Sequence, residues 1–310
     1  MKILVVSENR GMKHNRSHEF FKEEIADQHD VRFYGQRYEK RRHGFYIQGI
    51  IEGIEFEPDV VFTYAAKWCK WLKGMKNYKG LKVHFMPDYF PWNWWEEDTF
   101  IKEHQPDLVL VPNSSQVEIL SKFSHAKRLP FSVNIGVFKQ DGQQRYIDVS
   151  ATMQQVPRYY PTRLKVVEAI GPVINSIVTV WIDSDIERTK RVIHHKNYVD
   201  LLSRSKIVVN CTTYKGLDAR LLNPRFLEAT ACGALLLTEP ADDMKIMGFK
   251  PGVNCDTFND IDEMKEKIDW YLEKDEYRAR VARNGERLTR EYHSCERRVK
   301  QLTKMIERIL

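Results

Sequence analysis

The chain has 310 residues, 42% of them hydrophobic and 30% charged, the balance of a soluble globular protein with length for one large domain or two of about 150 residues. Five scattered cysteines (Cys69, Cys211, Cys232, Cys255 and Cys295) share no metal-binding spacing, which argues against a zinc module or a disulfide framework and for a reducing cytoplasm. A net charge of +6 permits a polyanionic partner without requiring one.

The opening "MKILVVSEN" has too short an apolar run for a signal peptide or anchor, and no stretch reaches the roughly 20 apolar residues of a bilayer span. Its "KILVVS" (2–7) reads as a buried strand, followed by an amphipathic helix, "SHEFFKEEIAD" (17–27). Strands continue at "VRFYG" (31–35), "PDVVFTY" (58–64), "LKVHFMP" (81–87) and "PDLVLVPN" (106–113). Helical patterns such as "EDTFIKEH" (97–104) and "SQVEILSKF" (115–123) lie between them. The polar "KQDGQQRY" (139–146) marks a boundary. Beyond it the alternation resumes with strands "YIDVSA" (146–151), "SIVTVWI" (176–182) and "SKIVVNC" (205–211), a helix "PTRLKVVEAI" (161–170), and a tail helical almost throughout from Asp262. Such alternation predicts parallel sheets covered by helices on both faces, in two Rossmann-like halves with a cleft between them.

Several segments carry chemistry. The turn after the first strand, "SENRGMKHNRSHEF" (7–20), holds one glycine, Gly11, and so no G-x-G-x-x-G fingerprint; it is nevertheless a long basic loop at a strand's carboxyl end, where open α/β sheets bind ligands. Six lysines recur at every third position from Lys67 to Lys82 with no acid between them. Read as a helix to about residue 76, this segment places Trp68, Trp71, Leu72 and Met75 on one face with Lys67, Lys70 and Lys73 beside it. That pattern fits a solvated basic face over core tryptophans, phosphate contacts along nucleic acid, or an anionic membrane surface. A second basic cluster, "RYEKRRH" (37–43), lies in the same half. In "PDYFPWNWWEED" (87–98), Trp94 and Trp95 fit stacking on a sugar or an extruded base, or closure of the core, and Asp88 is a carboxylate at a strand's carboxyl end. The D-x-D of "WIDSDIE", Asp183 and Asp185, has the spacing of a metal–diphosphate site with nothing nearby to strengthen it. G-x-S-x-G, P-loop and H-E-x-x-H motifs are absent.

The most informative stretch is "NPRFLEATACGALLLTEP" (223–240). Asn223 suits an N-cap and Pro224 a first helical position, Arg225 and Glu228 share a face three residues apart, and Gly233 stops the helix ahead of a buried strand. A positive helix end beside an arginine suits a phosphate.

This stretch and the segment that follows it resemble the carboxyl-terminal half of GT-B glycosyltransferases, specifically the CgeB-like group related to the retaining E-x7-E family, over about residues 146–300. The resemblance implies an α/β GT-B fold: an acceptor domain at 1–140, on which the C-terminal helix 294–310 packs back, faces a donor domain at 146–293 across a cleft. It implies a nucleotide-sugar donor, a UDP-sugar favoured, with no metal required. Glu228 matches the second glutamate of the signature, which bonds the donor ribose, and Arg225 the arginine three before it, suited to the diphosphate. Asn223 and Pro224 open the helix aimed at that diphosphate, Arg163 resembles a second clamp, and Gly11 lies in the first strand's loop. The sequence departs from the signature at Arg220, where its first glutamate would stand, and at Ala151 and Thr152, where a glycine is usual.

The expected activity is therefore cytoplasmic transfer of a hexose or pentose to a hydroxyl with retention, Asp88 orienting the acceptor. Lys67, Lys70, Lys73, Trp94 and Trp95 favour duplex DNA carrying a hydroxymethylated base. The alternatives are a surface-glycan or spore-coat transferase, a lipid acceptor, a sugar-nucleotide epimerase, or a non-catalytic binding protein of the same fold.

Overall fold

The computed structural model describes residues 1–9, 17–38, 43–91, 93–121, 125–155, 159–173, 176–182 and 195–310; Gly11, Asp183, Asp185 and most of the basic cluster 37–43 lie outside them. The chain divides into two compact units, one built on His18–Phe131 with the first strand and Glu296–Leu310, the other on Ser132–Cys295.

The first unit alternates β1 (Lys2–Val6), α1 (Ser17–Gln28), β2 (Asp30–Tyr34), α2 (Ile47–Gly53), β3 (Val60–Tyr64), α3 (Ala66–Cys69), β4 (Leu81–Phe85), α4 (Trp94–His104), β5 (Leu108–Val111), α5 (Ser114–Leu120) and β6 (Ala126–Arg128). Its six strands form a parallel sheet in the order β2-β1-β3-β4-β5-β6. Successive strand side chains point to opposite faces. Ile3 and Val5 therefore join one core with Phe62 and Leu110, while Leu4 and Val6 join another with Ile50 and Val61. A sheet buried on both faces reads as the unbroken apolar runs seen in the sequence.

The second unit holds β7 (Ile147–Gln155), α6 (Pro161–Ile170), β8 (Ser176–Ile182), α7 (His195–Arg204), β9 (Ser205–Asn210), α8 (Arg225–Ala231), β10 (Leu235–Thr238), β11 (Asp256–Thr257), α9 (Ile261–Glu273) and α10 (Asp275–Tyr292). Its parallel sheet runs β11-β10-β9-β7-β8, and the polar stretch 139–146 lies within this unit. Helix α8 ends as its sequence dictates. Gly233 takes φ +70°, its N–H donates to Thr230 O at 2.8 Å, and Ala234 N donates to Ala229 O at 3.1 Å, which together close a Schellman cap. A Cβ at Gly233 would also come within 2.8 Å of Arg145, whose guanidinium holds the Cys232 carbonyl at 2.6 Å. The last helix, α11 (Cys295–Glu307), sends Val299, Leu302 and Ile306 into the first unit's core beside Ile3 and Ile25.

One expectation fails. The helix expected from 65 to about 76 stops at Cys69, because its backbone groups have other partners. Trp71 Nε1 takes the Trp68 carbonyl at 2.9 Å, Lys73 exchanges bonds with Phe45 O (2.7 Å) and Ile47 N (2.9 Å), and Gly74 is left-handed at φ +79°. Trp68, Leu72 and Met75 still turn inward, but no single helical face aligns Lys67, Lys70 and Lys73.

Candidate functional site

At the carboxyl ends of the second unit's strands, polar side chains converge on Arg225, the first residue of α8. Asn210 ends β9, Thr238 ends β10, and Thr152 lies near the end of β7, all three buried. Arg225 Nε donates to Thr152 Oγ1 at 3.0 Å and its Nη1 to Asn210 Oδ1 at 2.9 Å. Asn210 is fixed in turn, donating to Thr238 Oγ1 at 3.1 Å and accepting from Asn223 Nδ2 at 3.2 Å. Asn223 Oδ1 accepts from Arg225 N at 3.1 Å, and Pro224, at φ −54° and ψ −27°, stands as the cap position of α8. Among the described residues no carboxylate forms an ion pair with Arg225; its side-chain hydrogen bonds go to neutral oxygens.

Arg163, in the first turn of α6, adds a second guanidinium. It lies 3.4 Å above the Tyr160 ring. Tyr160 meets Tyr214 edge-on at 5.3 Å, and Tyr214 stacks on Tyr159 at 5.7 Å. Burial lowers the Arg163 pKa from its ordinary value; the Tyr160 hydroxyl opposes that shift and the charge of Arg225 reinforces it. Burial also pushes the Cys211 thiol up to about 12, so it is an inert apolar group beside the two arginines. Two cations brought together in a partly dehydrated place destabilise each other until an anion arrives.

The acids of this region have other partners. Glu239 accepts from the backbone N–H groups of Thr212 and Thr213 at 2.7 and 2.8 Å, which pins the loop after β9. Glu228 is buried, and its Oε2 accepts from Tyr198 Oη at 2.6 Å. Burial, then the Glu228 charge, raises the Tyr198 pKa well above its ordinary value, so the phenol remains a donor. Arg220 is exposed, its backbone held by Asp242. Sequence reasoning missed Tyr198 and Asn210, and read Thr152 only as standing where a glycine is usual. Tyr198 lies 30 positions before Glu228 on another helix, so no local spacing announces it.

In the first unit the predicted residues are differently placed. Asp88 is half-exposed, with Oδ2 3.9 Å from Lys67 Nζ. Lys70 pairs with Glu96 at 3.0 Å, and Lys73 lies over the Tyr46 ring at 5.8 Å. Trp94 packs on Tyr89 at 5.8 Å over a small core with Met86 and Ile101, whereas Trp95 is exposed. The structure brings Arg225, Asn223, Pro224, Glu228 and Arg163 into one neighbourhood. It separates Trp94 from Trp95 by burial and gives Lys67 and Lys70 carboxylate partners.

Residues 155–304 match the model of a family described as glycosyl transferase-like. No curated protein matches the chain by sequence. Among solved structures, sucrose-phosphate synthase from Thermosynechococcus elongatus aligns at TM-score 0.71 and 11% identity over 100% of this chain and 99% of its own. The Anabaena protein Alr3699/HepE in complex with UDP and glucose aligns at 0.70 and 12% over 99% of both chains. A glycosyltransferase from Rickettsia africae ESF-5 aligns at 0.64 and 11% over 99% of this chain and 98% of its own. The fold is the two-domain α/β GT-B fold of glycosyltransferases.

Proposed function

We propose that the chain transfers a sugar from a nucleoside-diphosphate donor to an acceptor hydroxyl, with the donor diphosphate held in the second unit by Arg225 and Arg163. The observation that carries this reading is Arg225 itself, a guanidinium fork at the strand ends, held by Thr152 and Asn210 and paired with no carboxylate among the described residues. An arginine fork matches phosphate geometry, and neutralising the leaving diphosphate is the largest electrostatic demand of glycosyl transfer. Glu228, steadied by Tyr198, is the group for the donor ribose. The UDP and UDP-glucose complexes of the Anabaena protein support a UDP-sugar donor.

In this reading the bond between the anomeric carbon and the diphosphate oxygen breaks, the acceptor oxygen bonds to the same face with retention, and the hydroxyl proton passes to the departing phosphate. Asp88 in the first unit orients the acceptor. Its pairing with Lys67 and the exposed Trp95 of α4 support an acceptor taken by that unit. A DNA acceptor would need Lys67 and Lys70 to leave Asp88 and Glu96, so hydroxymethylated duplex DNA is one acceptor to test alongside glycans and lipids.

Thermal shift tests the donor site directly, since a ligand that binds only the folded state raises the melting temperature. UDP or UDP-glucose raises it in the native protein, and Arg225→Ala abolishes the rise. No shift with any nucleoside diphosphate or its sugars would overturn the reading and leave a non-catalytic protein of this fold.

A further inference from the structure

Among the described residues, the first unit exposes three large rings. Phe45 is 44% exposed, Tyr46 62% and Trp95 70%, whereas the neighbouring Tyr64, Trp68 and Tyr89 are buried. Phe45 and Tyr46 meet the lysine segment directly, and Trp95 neighbours Glu96, the partner of Lys70. Phe45 lies 6.2 Å from the partly buried Trp71, Tyr46 pairs with Lys73 through a β-bridge, and Lys70 reaches Glu96, next to Trp95. Phe45 and Tyr46 lie between β2 and α2, Lys70 and Trp71 follow α3, and Trp95 lies in the first turn of α4.

The lysine segment beside Phe45 and Tyr46 carries charge of one sign, whereas Glu96 and Glu97 follow Trp95 in the first turn of α4. Residues 65–82 hold six lysines and no acid. Lys67, Lys70 and Lys82 are matched by Asp88, Glu96 and Asp107. Lys73, Lys76 and Lys79 are exposed and make no ion pair among the described residues.

We propose that this surface docks the protein on an anionic lipid bilayer, the rings at the level of the headgroups and the unpaired lysines against lipid phosphates. Tryptophan and tyrosine settle at the membrane–water interface because their rings are apolar and their N–H or O–H stays wet. Lysines beside them supply attraction to anionic headgroups. A duplex offers phosphates but no apolar layer to cover Phe45 and Trp95, which is why the rings favour lipid over nucleic acid. Association is peripheral, since no helix among the described residues is long and apolar enough to cross a membrane. The inference does not depend on the donor reading, because vesicle binding needs no catalysis.

Co-sedimentation of the full chain with phosphatidylglycerol and with phosphatidylcholine vesicles tests it. Three unpaired lysines at about fivefold each give a preference of roughly a hundredfold for phosphatidylglycerol, weakened by salt. Removing two of the three exposed rings in the double variant Phe45→Ser, Trp95→Ser costs about tenfold or more of the remaining affinity. Brominated phosphatidylglycerol quenches tryptophan fluorescence of the native protein, a readout that stands even if the double variant folds poorly. Equal or absent binding to the two vesicles, or no quenching, overturns the proposal. So does an oligonucleotide that displaces the vesicles and binds the ring variant as tightly as the native chain, which would assign the lysines to nucleic acid.

Discussion

In the first unit, Lys22 meets Glu19 at 3.0 Å, Lys67 meets Asp88 at 3.9 Å and Lys70 meets Glu96 at 3.0 Å. In the second, Arg225 rests on Thr152 and Asn210, while Glu239 and Glu228 are engaged by backbone amides and a tyrosine hydroxyl. Both units are parallel sheets covered by helices, and in both the loops at the strands' carboxyl ends carry the charge. The difference lies in where the carboxylates go. A cation already matched by a carboxylate offers little to an incoming anion, whereas one held by neutral oxygens keeps its charge available. The same architecture therefore leaves one unit with a guanidinium held by neutral oxygens and the other with exposed rings and a few lysines outside its ion pairs.

The sharpest way to break this contrast is to give the second unit the first unit's arrangement. Asn210→Asp would set a carboxylate 2.9 Å from Arg225 Nη1, and UDP affinity in calorimetry should fall at least about tenfold, or about 1.4 kcal/mol, with the fold retained. Unchanged affinity would mean that Arg225 does not meet the diphosphate. Next in size, Tyr198→Phe removes the 2.6 Å bond to buried Glu228 and should cost about 2 kcal/mol in urea unfolding, with weaker donor binding. A loss of stability with donor affinity intact would confine Tyr198 and Glu228 to a structural role. Smallest is Lys70→Ala, which removes a pair whose lysine is 64% exposed; unfolding should shift by less than about 0.5 kcal/mol, because solvent screens such pairs. A larger loss would show that the first unit's ion pairs hold its fold together.

The legibility of the two regions also differs. Strands β1, β3, β4 and β9 and helices α6, α9 and α10 lie close to where the apolar runs and periodicities put them, because a sheet buried on both faces demands such runs locally. Strands β6 and β11, of three and two residues, have too little pattern to be seen. The lysine segment misled for a different reason. Its three-residue spacing is a sound helical signal, but tertiary bonds from Phe45 and Ile47 and a local one from the Trp71 indole took backbone groups that the helix needed.

The sequence by itself determined the alternation of strands and helices, the start of α8 at Asn223-Pro224-Arg225 and its stop at Gly233, since backbone dihedrals, caps and apolar periodicity are local properties. It also singled out Arg225 and Glu228, three apart on one short helix. Only the tertiary structure decided what those side chains meet. Thr152, Asn210 and Tyr198 reach them from β7, β9 and α7, and Asp88 and Glu96 reach Lys67 and Lys70 from across a crossover. Charge pairing depends on distances between residues far apart in the chain, and those distances exist only once the sheets have formed.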